Sequence, residues 1–268
     1  MPIITLLTDF GTRDYFVGAM KGVILSANPT AVVVDLTHEV PPQDIRAAAF
    51  NLLATYKDFP SGTIHVAVVD PGVGSNRRPI LVECAEQVFV GPDNGLFSWI
   101  WQREGHFLAR HLTNEKFFEP PQSATFHGRD VFAPVAAALS RGVAAEEFGP
   151  VIDDVIVLES LTPRVNDDGI LAAAIIHIDR FGICITNLTT DHLTKETNGV
   201  VRLIVNDQVI TSIRKFFSEE AGDSESLFMI PGSAGFIEIA ARNSSAAAIL
   251  KVRRGQSITV QTSVDGAK

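Results

Sequence analysis

The sequence predicts an α/β N-terminal domain built on a largely parallel sheet, followed by a smaller C-terminal all-β barrel domain. Three observations predict it. Short apolar runs alternate with helix-period segments in the first part of the chain, four of those runs end in an acidic residue beside turn chemistry, and past residue 163 the pattern becomes strand after strand. Continuous apolar strands alternating with helices mark a sheet covered on both faces. Short strands at regular spacing with turn signals between them mark a barrel or sandwich.

Taken in order, Ile3-Ile4-Thr5-Leu6-Leu7-Thr8 reads as the first strand and ends in Asp9-Phe10-Gly11-Thr12-Arg13-Asp14, ahead of a periodic segment carrying Val17, Met20, Val23 and Ile24. Ala31-Val32-Val33-Val34 reads as the second and ends in Asp35-Leu36-Thr37-His38, after which Pro41-Pro42-Gln43-Asp44 opens a helical pattern through Ile45, Ala48, Leu52 and Leu53. Residues 63–69 read as a buried strand that delivers Asp70 and then the turn Pro71-Gly72-Val73-Gly74 before Arg77. Gln87-Val88-Phe89-Val90 ends in Gly91-Pro92-Asp93-Asn94-Gly95. Helical patterns occupy 46–56, 95–103 and 130–141, and within the Pro/Asp/Gly-rich stretch 162–169 residues 164–168 read as the linker between domains of residues 1–163 and 169–268. In the second domain, 170–178, 182–188, 200–206, 226–230, 235–241, 247–252 and 257–262 read as strands.

The ends of those first strands carry the functional argument. Open α/β sheets bind ligands outside the carboxyl ends of their strands, so acids that terminate successive parallel strands converge on one rim. Asp70 with Arg77 a few residues on is a carboxylate–guanidinium pair in that position. Composition narrows the partner. The chain has 268 residues, 46% of them hydrophobic, and a formal net charge of -9. That acidity, without a basic stripe, argues against a nucleic-acid partner and suits a small cationic ligand. No long apolar run can span a bilayer. Met1-Pro2-Ile3-Ile4 has no basic run, which predicts no secretory signal. Cys84 and Cys184 lie in apolar, strand-like stretches and read as small core residues. The expected setting is reduced and cytoplasmic. The histidines are scattered and the acids each end a different strand, so no catalytic metal is expected.

The motifs then carry a resemblance. Thr8-Asp9-Phe10-Gly11 with Asp14, Asp35-Leu36-Thr37-His38, Asp70-Pro71-Gly72-Val73-Gly74 with Arg77, Gly91-Pro92-Asp93-Asn94-Gly95 and Thr125-Phe126-His127-Gly128-Arg129-Asp130 recur in that order. Asp179-Arg180-Phe181-Gly182 and Ser233-Ala234-Gly235 continue the series, which spans essentially the whole chain. The chain resembles the S-adenosyl-L-methionine hydroxide adenosyltransferases (SAM hydrolases), relatives of the bacterial fluorinase and chlorinase. The resemblance implies hydrolysis of SAM to adenosine and methionine, without a cofactor, by a homotrimer. Its sites would lie between the N-terminal domain of one subunit and the C-terminal barrel of its neighbour.

It also implies residue roles. Asp70, Arg77 and His127 match the set that activates the attacking water, with Arg78 the adjacent alternative arginine. Asp9 matches the carboxylate on the ribose hydroxyls. Asp14 and Asp179 match acids at the methionine end, Ser233 matches a serine near the methionine carboxylate, and Phe181 and Phe217 are candidates to stack on adenine. The chain departs from the family at three points. Ile183 and Cys184 follow Gly182 where the family commonly has Asn, Ala234 replaces an arginine of the halogenating relatives, and Gly128 stands where the fluorinase uses a serine for the halide. The chemistry suits the residues. A sulfonium leaves as a neutral thioether and needs no acid, whereas a hydroxide-like nucleophile at neutral pH needs a charged, proton-managing environment. Two other readings stand beside hydrolysis: a non-catalytic adenosyl-ligand binding protein and a halide-dependent adenosyl transferase, the latter disfavoured by Gly128.

Overall fold

The computed structural model describes all residues except 167–169, 196–199, 218–225 and 264–268. The chain divides into two compact units, Met1–Ser160 and Leu161–Lys268.

The first unit contains β1 (Ile3–Thr8), α1 (Phe16–Ala27), β2 (Val32–Thr37), α2 (Ile45–Thr55), β3 (Ile64–Val68), β4 (Pro79–Cys84), β5 (Gln87–Pro92), α3 (Ser98–Glu104), β6 (Leu108–His111), α4 (Ala133–Ser140) and β7 (Val151–Ile152). Its seven-stranded sheet runs β2-β1-β3-β5-β4-β6-β7. The first four strands in that order are mutually parallel. The expectation of a largely parallel sheet holds only for this half, because β4, β6 and β7 pair antiparallel. The correction has a local cause. β4 and β5 are joined by Ala85 and Glu86 alone, with φ of 53° and 59°. That is the backbone of a tight hairpin, in which Asn-Gly or Asp-Gly is the usual signal.

The parallel half positions the site. Ile4, Leu6, Ile64, Val66 and Val68 pack in one core with Met20 and Ile24 of α1 and with Val135, Ala136 and Ala138 of α4. β1 and β3 are neighbours in register, Thr8 opposite Val68, so Asp9 and Asp70 leave the sheet side by side. A polar chain crosses the sheet's interior. Fully buried His65 sits 2.7 Å from Thr5 Oγ1 through Nδ1 and 2.8 Å from Gln87 Oε1 through Nε2. Burial pushes the His65 imidazole down to about 4.

The second unit contains β8 (Arg164–Val165), β9 (Leu171–Ile178), β10 (Cys184–Thr186), α5 (Thr190–Lys195), β11 (Val200–Val205), β12 (Gln208–Ile210), β13 (Leu227–Pro231), β14 (Ile237–Ala241), α6 (Ala246–Leu250) and β15 (Ser257–Ser263). Its strands pair antiparallel in the order β12-β11-β15-β9-β10-β14-β13, with β8 on β9. Past β12, Ser212 and Arg214 exchange backbone hydrogen bonds with Met229 of β13, so the sheet nearly closes into a barrel. Arg164 and Val165, inside the stretch read as a linker, pair with Ala172 and Leu171. The expected strand at 247–252 is instead the helix α6, started by Ser245, whose hydroxyl accepts from the Ala248 N–H. Both cysteines are free and buried, and burial pushes their thiols up, Cys84 to about 11 and Cys184 to about 12.

Candidate active site

The turn after β3 brings the expected trio together. Asp70 follows the strand, and Pro71 to Asn76 fold back through Val73 N–H to the Asp70 carbonyl and Ser75 N–H to the Gly72 carbonyl. Gly74 is required twice: its φ is 77°, and a Cβ there would lie 2.5 Å from the Ala124 carbonyl oxygen. This return sets Arg77 against Asp70. Arg77 Nε donates to Asp70 Oδ1 and Oδ2 at 3.0 and 2.9 Å, and Nη2 donates to Oδ2 as well. The two side chains are only 5% (Asp70) and 8% (Arg77) exposed, so water screens the pair little. The guanidinium also lies 5.4 Å from the centroid of the Phe132 ring.

His127 completes the set. Its Nδ1 is 2.7 Å from Arg77 Nη2. A guanidinium only donates, so Nδ1 accepts and the neutral ring carries its proton on Nε2. Burial, and next the Arg77 charge, hold His127 below the ordinary imidazole value against the opposing pull of Asp70 and Asp130. His127 sits at the mouth of a wide turn, Gly128–Phe132, whose bonding skips five residues; such turns gather at functional sites. Asp130, 1% exposed, anchors the approach by accepting from the Ser123 N–H at 2.7 Å and from Arg129. Arg78 is occupied elsewhere, donating to Asp93 at 3.0 and 2.6 Å and to Asp154 at 2.6 Å.

Asp9, Asp70 and His127 line a cleft of about 270 Å³ together with Phe10, Gln43, Val68, Pro71, Val73, Thr125, Phe126 and Gly128. Asp9 Oδ2 accepts from the Gln43 N–H at 2.7 Å, which fixes that carboxylate, and Oδ1 has no hydrogen bond among the described residues. Phe10, Phe16 and Phe126 form an aromatic wall, with ring centroids 5.6, 6.0 and 5.1 Å apart. Of the acids that end these strands, Asp9 and Asp70 share the lining of this cleft. Asp93 is tied to Arg78, and Asp35 pairs with Lys21 at 2.6 Å and His38 at 3.0 Å. Burial raises the Asp35 pKa, but those two partners outweigh it and hold the carboxyl below its ordinary value. Asp14 is exposed and outside the residues lining the cleft.

The second unit gathers the remaining candidates. Asp179, Phe181, Phe217 and Ser233 all line one hollow of about 740 Å³, joined by Ile183, Glu238, Ala241, Asn243 and Ser244. Asp179 Oδ1 already accepts from the Phe181 and Ile183 N–H groups at 2.9 and 2.8 Å, so one carboxylate oxygen shapes the turn. Gly182 in that turn has φ 81°, and any Cβ would strike Ser245. Phe181 is 71% exposed, with the Arg180 guanidinium 5.8 Å from its ring centroid. Burial, and next the nearby Asp179, push the Glu238 carboxyl up.

Sequence reasoning missed Gln43, Phe10, Thr125 and Phe126 as lining residues, and Glu238 in the hollow. Gln43 had a signal, because a Pro-led turn places positive φ at its third position. Among the described residues no group of three or more His, Cys, Asp or Glu side chains stands close enough to hold a metal ion. No described helix is long and apolar enough to cross a membrane.

Comparison with known proteins fits this geometry. Residues 4–149 match the SAM hydroxide adenosyltransferase N-terminal domain, and residues 173–259 match the C-terminal domain of the same family. The (R)-S-adenosyl-L-methionine hydrolase of Salinispora arenicola is 37% identical over 97% of this chain and 97% of its own length. That of Methanocaldococcus jannaschii is 34% identical over 94% of this chain and 93% of its own. The crystal structure of an uncharacterized conserved protein from Thermotoga maritima shares 36% identity and a TM-score of 0.88, covering 96% of this chain and 99% of that one. With both halves matched and relatives alike along nearly their full length, the chain belongs to the SAM hydroxide adenosyltransferase family.

Proposed function

We propose that this chain hydrolyses S-adenosyl-L-methionine to adenosine and L-methionine. Water attacks the ribose C5′, a C–O bond forms as the C–S bond breaks, and the C–S electron pair leaves on sulfur as a neutral thioether. One proton is released from the water. The observation that carries the reading is Arg77, clamped by Asp70 and directed at His127 Nδ1 beside a cleft lined by Asp9. A fixed, poorly hydrated cation favours the hydroxide-like form of a neighbouring water. His127, with Nδ1 occupied, presents an Nε2–H donor that can orient the water's oxygen. With Nδ1 taken by Arg77, holding the water fits the hydrogen bonding of His127 better than taking the water's proton. Asp9 Oδ1 is free to accept from a ribose hydroxyl.

The assembled trio favours catalysis over binding alone. Halide chemistry fits less well, because Gly128 is packed against Met20, Phe126 and Phe10 with its Cβ position only 3.2 to 3.4 Å from them. In the barrel hollow, Asp179 and Ser233 would take the amino-acid end of the substrate, and Phe181 or Phe217 the adenine. The family resemblance supports a homotrimer in which one subunit's cleft works with a neighbour's barrel. The two free thiols suit a reduced, cytoplasmic compartment. The test is chromatography of SAM incubated with purified, chelator-treated protein, with and without chloride. Adenosine and methionine in equimolar amounts, unaffected by chelator or chloride, are expected. Intact SAM, or dependence on a divalent ion, would overturn the proposal.

A further inference from the structure

Gln43 stands at the third position of the turn Pro41-Pro42-Gln43-Asp44, which the Asp44 N–H closes by donating to the Pro41 carbonyl at 3.0 Å. Its φ is 65°. In a Pro-led turn that position belongs to Gly or Asn, because other side chains are strained there. The Gln43 N–H donates to Asp9 Oδ2 at 2.7 Å, but glycine would make the same bond without the strain. The backbone therefore gives no reason for a glutamine. Its side chain supplies one: exposed at the rim, it lines the cleft with Asp9, Asp70 and His127, and its carboxamide, tied to no other group among the described residues, is available to a ligand there. Strain retained beside a cleft marks a residue kept for what its side chain does.

The missing chemistry fits an amide. An ionised Asp9 only accepts, so it takes the O–H of a sugar hydroxyl and leaves the hydroxyl oxygen's own lone pairs unanswered. A carboxamide N–H beside it answers them. Resting on the hydrolase reading, we infer that Gln43 is a substrate-binding residue that donates to a ribose hydroxyl oxygen and, with Asp9, selects ribose over deoxyribose.

Calorimetric titration of the whole protein with adenosine, 2′-deoxyadenosine and 3′-deoxyadenosine tests this without depending on turnover. Gln43→Gly keeps the N–H that holds Asp9 and removes only the carboxamide. Its affinity for adenosine should fall about 5- to 10-fold, the loss of one hydrogen bond. The loss should shrink on the deoxynucleoside that lacks the bonded hydroxyl. Its Tm should not fall, since glycine relieves the strained φ. Adenosine affinity within about twofold of wild type, an equal loss on all three nucleosides, or a lowered Tm overturns the inference. Ribose selection by a protein that leaves SAM intact would instead strike the proposed hydrolysis and leave Gln43's role standing.

Discussion

Replacing Arg77 by lysine keeps one positive charge and removes the fork. Arg77 spends Nε and Nη2 on Asp70 and shares Nη2 with His127 at 2.7 Å. A lysine ammonium is a single point on a flexible stem and cannot hold both partners in that geometry. The loss has two parts. Removing one preorganised electrostatic group from a reacting centre costs about 2.7–4 kcal/mol of transition-state stabilisation, or ~10²–10³ in kcat. Asp70 is 5% exposed, so a loosened partner leaves a nearly buried carboxylate and should lower stability by about 1–3 kcal/mol, short of the cost of deleting the partner outright. The control is Arg78→Lys, which disturbs the ion pairs to Asp93 and Asp154 but nothing in the cleft. It should lose stability and keep kcat within about threefold, as a change outside the reacting groups does. Adenosine release measured at saturating SAM, with urea unfolding of both variants, separates the effects. If Arg77→Lys keeps more than about a tenth of wild-type kcat, well short of the expected loss, or if Arg78→Lys loses as much activity as Arg77→Lys, the assignment of the guanidinium is wrong.

Asp9→Ala should raise KM for SAM with little change in kcat, because a ribose contact is made in ground and transition states alike; a kcat loss at unchanged KM would contradict that role. His127→Ala should lower kcat ~10²–10³-fold at nearly constant affinity, as loss of an oriented donor does. In wild type the same group sets the acid limb. Protonation puts a hydrogen on Nδ1 against Arg77, so kcat falls as pH drops, with a midpoint below 6.5 because burial and Arg77 lower this pKa; a midpoint above that value counts against it. Folding stability should also decline in acid. His65 titrates at about 4 when folded against 6.5 for the free group, so the unfolded chain takes up the extra proton. The contribution is intact above pH 6.5 and drains away down to pH 4, about 3 kcal/mol in all. Urea midpoints across that range should flatten in His65→Asn, and an unchanged slope would rule His65 out as the source.

Legibility in the sequence followed local chemistry. The strands before Asp9 and Asp70 are readable because they are nearly continuous apolar runs, broken only by threonines and by His65. The β4–β5 hairpin was not, because Ala85 and Glu86 hold positive φ without the residues that usually announce it. The apolar stretch over α6 is too short for its period to separate helix from strand, and only the Ser245 cap carried the signal. At the site, motif and spacing placed Asp70 and Arg77 on one turn, but His127 lies 50 residues beyond Arg77. Its tautomer follows from which group donates to it, and no sequence pattern records that. Asp35 and Asp93 read like Asp9 in the sequence, but Lys21 and Arg78, distant in the chain, neutralise them in the fold.

Gly128 also constrains the order in which this scaffold can change. A side chain there meets Met20 Sδ at 3.2 Å, the Phe126 ring at 3.3 Å and the Phe10 ring at 3.4 Å. All three obstacles are side chains, and two of them belong to the aromatic wall of the cleft. A hydroxyl-bearing residue introduced first would shove that wall and disturb whatever the cleft already binds. If Met20, which is fully buried and unbranched, is trimmed first, the tightest of the three contacts goes at the cost of a small cavity. The two substitutions are therefore not independent steps: their side chains share one contact, so the effect of a change at position 128 depends on what stands at position 20.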